Sequence, residues 1–201
     1  MSKIVFLDVD GTLIDYEAKL PASAAKAVDQ ARANGHKVYI CTGCSKAEIL
    51  QRNLCDLDGM IGGNGAYVED NGHVVMHQGL SKEDVKNIVD WCNERHIGFY
   101  LEANSGMYCN DYMLEQGPET MVKYAKGKGA SLENAKSSAQ HFVDGFIHLQ
   151  GDELYRDDVN KISFILRTYQ DHLDSKVDFP HLVANTWGAR KLLLWVSSEV
   201  L

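Results

Sequence analysis

No stretch of this sequence approaches the roughly 20 consecutive apolar residues that a membrane-spanning helix needs. Its start, Met1-Ser2-Lys3 followed at once by a short apolar run, lacks the pattern of a secretory leader. A cytoplasmic chain with no membrane partner is therefore the expectation. Basic charge is also in short supply. Twenty Lys and Arg face 28 Asp and Glu, a net charge of −8, which argues against the basic stripe of a general nucleic-acid surface. Any anionic substrate must then be attracted locally, by a metal, backbone amides or a few cations. The five cysteines are odd in number and scattered, so no disulfide framework is expected. The histidines include no HExxH pairing, which sets zinc aside. Repeats and low-complexity tracts are lacking as well.

What is present is enough apolar residue, 45% of the chain, for a sizeable core, and 201 residues, enough for one large domain or two small ones. The most telling stretch is Ile4-Val5-Phe6-Leu7-Asp8-Val9-Asp10-Gly11-Thr12-Leu13. Four apolar residues suit a parallel strand buried on both faces. The run stops at two aspartates, and in open α/β sheets ligands bind outside the carboxyl ends of the strands. Alternate spacing lets both carboxylates face one site while Val9 turns away. Gly11 allows a tight turn, and Thr12 adds a hydroxyl and an amide. Two crowded carboxylates repel, so a cation is expected between them, and the oxygen-only set suits Mg2+. One carboxylate can attack phosphorus, while the other protonates the leaving oxygen and then activates water. A calcium loop is a poor fit: Gly11 comes too early, and Lys19 stands where the bidentate Glu of an EF-hand belongs.

Downstream, Pro21 to Ala33 reads as a helix, stopped by Asn34-Gly35. His36 to Cys41 reads as a second strand, and Ser45 with Glu48 forms a capping box for a helix over 46–54. Strand and helix in alternation predict a parallel sheet with right-handed crossovers. Thr42 and Gly43 then stand at the same sheet end as Asp8, where a hydroxyl and turn amides can hold phosphate oxygens. Cys41-Thr42-Gly43-Cys44 is formally a CxxC, but a thiol redox site leaves the aspartates unexplained. Met60 to Ala66 is a third strand end with an amide-rich turn containing Asn64 and Gly65. Residues 67–69 and 73–77 form a hairpin across Asn71-Gly72.

The segment Phe6-Leu7-Asp8-Val9-Asp10-Gly11-Thr12-Leu13 resembles the first motif of the haloacid dehalogenase (HAD) superfamily, particularly its Cof-type phosphatases. That resemblance implies a Rossmann-like α/β core with an inserted α+β cap. It implies Asp8 as nucleophile, Asp10 as general acid/base, and Mg2+ held by the Asp8 side chain and the Asp10 backbone carbonyl. Thr42 matches the second motif, where the family usually has Thr-Gly-Arg and this chain has Thr42-Gly43-Cys44. The loss of that arginine removes a cation from the neighbourhood. Gly63-Asn64-Gly65-Ala66 is similar to the family's Asn-Gly-Ala segment beside the active site. The implied reaction is phosphomonoester hydrolysis of a small phosphorylated metabolite, a sugar phosphate or a nucleotide. The other reading is an inactive remnant that binds a phosphometabolite or a protein.

The expected organisation is a core portion over 1–79, a cap over 80–187, and an atypical tail over 188–201 where the core should resume. In the cap, helices are expected over 81–95, 119–125 and 168–174, and strands over 98–102, 107–109, 142–150 and 161–166. Residues 126–130 read as polar and mobile. Asp152 and Asp157 superficially match the superfamily's acidic fourth motif, which would leave Lys136 as its lysine, but an exposed cap loop is the preferred reading. Lys191 is the lysine nearest the expected place in the tail, with no acidic pair after it. Those departures predict weak Mg2+ binding, turnover near background, and an unfinished sheet whose apolar edge favours a homo-dimer.

Overall fold

The computed structural model describes residues 1–15, 19–52, 54–187 and 193–198. They fall into two compact units, parting after Gln78. Among the described residues, no helix is long and apolar enough to cross a membrane.

The first unit carries a five-stranded sheet. Its elements are β1 (Ile4–Leu7), α1 (Ala22–Ala33), β2 (Lys37–Cys41), α2 (Lys46–Leu50), β3 (Gly59–Gly62), β4 (Tyr67–Asp70) and β5 (His73–His77), with the strands in the order β1-β2-β3-β4-β5. β1, β2 and β3 run parallel, Val5 opposite Val38 and Ile40 opposite Met60. β4 and β5 return antiparallel as the expected hairpin. Its turn puts Asn71 at φ 47° and Gly72 at φ 79°, the left-handed pair that matches the twist of a two-residue hairpin. The core gathers Val9, Leu13, Ile14, Val28, Val38, Ile40, Ile49 and Met60.

Two expectations are corrected here. β1 is an edge strand with one open face, leaving Ile4 61% and Phe6 55% exposed. Burial on both faces requires neighbours that the described residues do not supply. The capping box at α2 forms by half: Ser45 Oγ accepts from the Glu48 amide at 3.3 Å. The Glu48 carboxylate turns instead to Arg52 and Cys44.

The second unit is a six-stranded sheet, β10-β11-β9-β6-β7-β8. In chain order its elements are α3 (Lys82–Glu94), β6 (Phe99–Ala103), β7 (Met107–Cys109), α4 (Asp111–Gly127), α5 (Leu132–Asp144), β8 (Phe146–His148), β9 (Val159–Ile165), α6 (Tyr169–Asp178), β10 (Val183–Trp187) and β11 (Leu193–Ser197). Strand alternation divides its core. Phe99, Leu101, Ile162 and Phe164 pack with the α3 stripe Val85, Ile88, Val89 and Cys92. Tyr100, Cys109 and Ile165 pack with Met113 and Met121 of α4 and Ala139 of α5. Burying each larger α3 side chain contributes about 1.5–3 kcal/mol.

Three differences from the sequence reading follow from weak local signals. α5 occupies 132–144, where no element was expected before the start of a strand at 142. Its buried residues are only Ala135 and Ala139, too small to write an apolar stripe. α4 continues through Gly117-Pro118 from Asp111, although that pair ordinarily marks a break. Residues 193–197, expected within the tail, form an interior strand between β10 and β9. Lys191 and its neighbours over 188–192 lie outside the described residues, as do 199–201.

Candidate active site

The loop after β1 is folded back on itself. Gly11 N donates to Ile14 O at 3.0 Å, Ile14 N to Val9 O at 3.0 Å, and Leu13 N to Asp8 O at 3.2 Å. Gly11 supports this turn at φ 77°, a backbone region that costs glycine nothing. Val9, Leu13 and Ile14 are at most 3% exposed and anchor the loop in the core. Asp8, Asp10, Gly11 and Thr12 are left exposed outside it. Alternation of apolar and polar residues thus sorts anchors from candidate reactive groups.

The parallel order of β1, β2 and β3 brings Thr42-Gly43 and Gly63-Asn64-Gly65 to the same sheet end as Asp8. The two later turns are stitched together: Thr42 N donates to Ile61 O at 2.9 Å, and Gly63 N to Cys44 O at 2.8 Å. Thr42 is buried, and its Oγ1 accepts from Cys44 N at 3.2 Å, so that amide is engaged within the turn. Asn64 is exposed at φ 59° between Gly63 and Gly65, a conformation asparagine tolerates better than most residues.

The residue that sequence reasoning missed is Arg52. Its Nη1 donates to Asp10 Oδ1 at 2.5 Å, and its Nη2 donates to Glu48 Oε1 at 2.7 Å and reaches Cys44 Sγ at 3.5 Å. The Cys44 thiol donates to Glu48 Oε1 at 3.1 Å and stands 3.8 Å from Asp10 Oδ2. Burial works against the Arg52 charge, but the neighbouring Glu48 and Asp10 carboxylates outweigh it and hold the guanidinium charged. Burial, reinforced by Glu48, pushes the Cys44 thiol far up, which suppresses the thiolate a redox exchange requires. Arg52, two residues beyond α2, thus puts a cation in the neighbourhood where Cys44 supplies none. The available signal was the Glu48–Arg52 spacing of four, which pairs side chains on a helical turn. Lys46, the other nearby cation, is engaged by Glu69 and by Tyr67.

Among the described residues, no group of three His, Cys, Asp or Glu side chains is placed to hold a metal. His73 and His77 share a spacing that chelates on a helix, but in β5 they stand about 13 Å apart along a strand. Asp8 and Asp10 supply two hard, solvent-facing oxygen donors. That set fits Mg2+, which keeps several waters and takes one or two protein carboxylates plus phosphate oxygen. Asp152 and Asp157 are exposed in the second unit, and Lys136 is exposed on α5.

A family model described as haloacid dehalogenase-like hydrolase matches residues 5–190. The chain is 31% identical over 114 residues to the 5-amino-6-(5-phospho-D-ribitylamino)uracil phosphatase YwtE of Bacillus subtilis (strain 168), a match covering 56% of this chain and 37% of that protein. It is 24% identical over 109 residues to phosphatase YwpJ of the same organism, covering 53% and 38%. The matches thus span well under half the length of these relatives. Among solved structures, a haloacid dehalogenase-like hydrolase from B. subtilis superposes with a TM-score of 0.74 at 19% identity, covering 97% of this chain and 73% of the other. The HAD subclass IIB sugar phosphatase BT4131 gives 0.67 at 21% identity, covering 99% and 70%.

Proposed function

The chain belongs to the haloacid dehalogenase-like hydrolase family, and on that premise we propose that it is a Mg2+-dependent phosphatase of a small phosphorylated metabolite. An Asp8 carboxylate oxygen attacks phosphorus, forming an aspartyl-phosphate as the bond to the leaving oxygen breaks. Asp10 gives that oxygen a proton. Asp10 then takes a proton from water, which attacks the phosphorus of the aspartyl-phosphate and releases inorganic phosphate and the Asp8 carboxylate. Thr12, Thr42, Gly43, Asn64 and Gly65 bind phosphate or substrate, and Gly11 lets the backbone approach. Mg2+, held at Asp8 and Asp10, neutralises charge on the phosphate oxygens when bound. The substrate is of the sugar-phosphate or nucleotide class, consistent with the activities for which YwtE and BT4131 are named.

The observation that carries this reading is the Asp8-Val9-Asp10-Gly11-Thr12 turn at the carboxyl end of a parallel strand, beside Thr42 and Asn64. Hydrolysis of para-nitrophenyl phosphate with and without Mg2+ tests it. We expect slow turnover and cation affinity weaker than millimolar. Losing one preorganised electrostatic contact costs about 3–4 kcal/mol of barrier, and the described residues offer no third carboxylate to steady the metal.

A second reading is an inactive member that binds a phosphometabolite or a protein partner. It is favoured by Arg52, which engages the carboxylate that should serve as acid and base. Phosphate binding without any Mg2+-dependent turnover would select it. We also propose self-association through the open edge of β1, where Ile4 and Phe6 are exposed.

A further inference from the structure

Arg52 is not a loose surface cation. Its side chain is 21% exposed, against 56% for Asp10. Glu48, whose side chain is 14% exposed, grips it from the α2 side and is itself gripped by the Cys44 thiol. The guanidinium, two residues beyond the end of α2, therefore bridges two carboxylates, one in that helix and one in the loop after β1. Such a planar fork is preorganised, and its two anchors hold it better than one exposed pair could.

We propose that Arg52 is a resident counter-cation of Asp10: it positions the Asp10 carboxylate and opposes divalent-cation binding at Asp8 and Asp10. This rests on the phosphatase reading only in taking those two aspartates as the cation's ligands. Near the loop, Asp8, Asp10 and Glu48 bring three negative charges and Arg52 one positive charge. A divalent cation beside Asp10 must work against the guanidinium, whether it meets the side chain or the backbone carbonyl. By linkage the opposition is mutual: whatever Arg52 costs the cation, the cation costs the Arg52–Asp10 contact. Arrival of the cation thus loosens Arg52 and turns Asp10 free to face a leaving oxygen. Glu48 tempers the effect, because it draws the guanidinium's charge away from Asp10.

The two anchors make opposite predictions. Arg52→Gln keeps a polar side chain and removes the charge, so the cation binds more tightly. Glu48→Gln leaves the guanidinium to Asp10 alone, so the cation binds more weakly. Arg52→Lys retains the charge and stays near the wild type. A merely structural role for this cluster would weaken binding in both Gln variants.

The experiment titrates Mn2+ into the 201-residue chain without substrate and counts free Mn2+ by electron spin resonance, with circular dichroism checking the fold. Mn2+ shares the oxygen preference and octahedral habit of Mg2+. The expected result is binding on the order of tenfold tighter in Arg52→Gln than in the wild type, with Glu48→Gln weaker than both. Equal or weaker binding in a folded Arg52→Gln overturns the proposal, as does absence of Mn2+ binding from every variant. Should Arg52→Gln fail to fold, Arg52→Met and the order of Arg52→Lys against Glu48→Gln carry the same decision. Hydrolysis of para-nitrophenyl phosphate is measured separately. The expected Mn2+ order without any wild-type hydrolysis supports the role of Arg52 and removes the phosphatase reading.

Discussion

Lys161 Nζ lies 3.0 Å from Glu102 Oε2, an ion pair between neighbouring strands β9 and β6 whose glutamate side chain is 1% exposed. Ser163 Oγ donates to the other carboxylate oxygen at 2.8 Å. The pair sits on the sheet face shared with Tyr100 and Ile165. Coulomb attraction and desolvation nearly cancel for such a pair while it is intact.

Breaking it by halves is the costly change. Lys161→Met is expected to destabilise the fold by about 3–5 kcal/mol, because it strands a buried carboxylate. The double variant Lys161→Met, Glu102→Leu should recover most of that loss. Urea unfolding of the three proteins checks the order, and a double variant no better than the single one would contradict it.

Asp8→Asn should abolish any Mg2+-dependent turnover, together with any acid-stable phosphoryl label on the protein. Asp10→Asn should slow turnover by roughly 100- to 10,000-fold, the range for losing a general acid/base, with unfolding unchanged. Full activity in Asp8→Asn would remove the proposed mechanism.

Cys41→Ser with Cys44→Ser should change turnover by less than about twofold, since a serine hydroxyl can still donate to Glu48 and no thiolate takes part. A large loss reversed by reductant in the wild type would instead revive thiol chemistry at this turn.

Acid stability should report on Asp58. Val38 N donates to its Oδ2 at 2.8 Å, and Arg32 Nε pairs with the same oxygen at 3.2 Å. The amide first, and Arg32 after it, hold the carboxyl below the ordinary aspartate value of 3.8 despite opposing burial. A folded-state value below the unfolded one contributes stability that is present above 3.8 and is lost as pH falls through the folded value. Asp58→Asn should therefore be less stable than the wild type at pH 7, with the difference shrinking below about pH 4. Urea midpoints across that range decide it; a constant difference would show that Asp58 acts through packing alone.

Phe6→Lys should reduce self-association at the β1 edge, because a lysine there discourages strand-to-strand pairing. Sedimentation of the two proteins at equal concentration makes the comparison. Unchanged association would move the contact elsewhere.

Several features were legible because they are local. The apolar run ending at Asp8 and Asp10, the Asn71-Gly72 turn, the cap at Ser45, and the α3 stripe each write their physics into a few adjacent residues. Strand and helix in alternation then predict a parallel sheet with Asp8 and Thr42 at one end, and the family resemblance adds Asn64 beside them. What tertiary structure decided depends on partners far along the chain. Arg52 and Asp10 are 42 residues apart, and their contact exists because β1 and β2 lie side by side. Glu48 could complete its capping box locally; the stronger charge-assisted bond to Arg52 takes it instead. The burial of Lys161 and Glu102 likewise follows from sheet order and the helices above it, since nothing in either residue's neighbourhood marks it as interior. Residues 193–197 read by themselves only as part of the tail, and the structure makes them β11. Its place between β10 and β9 was settled by which open edge it could pair, and an edge is a property of the assembled sheet.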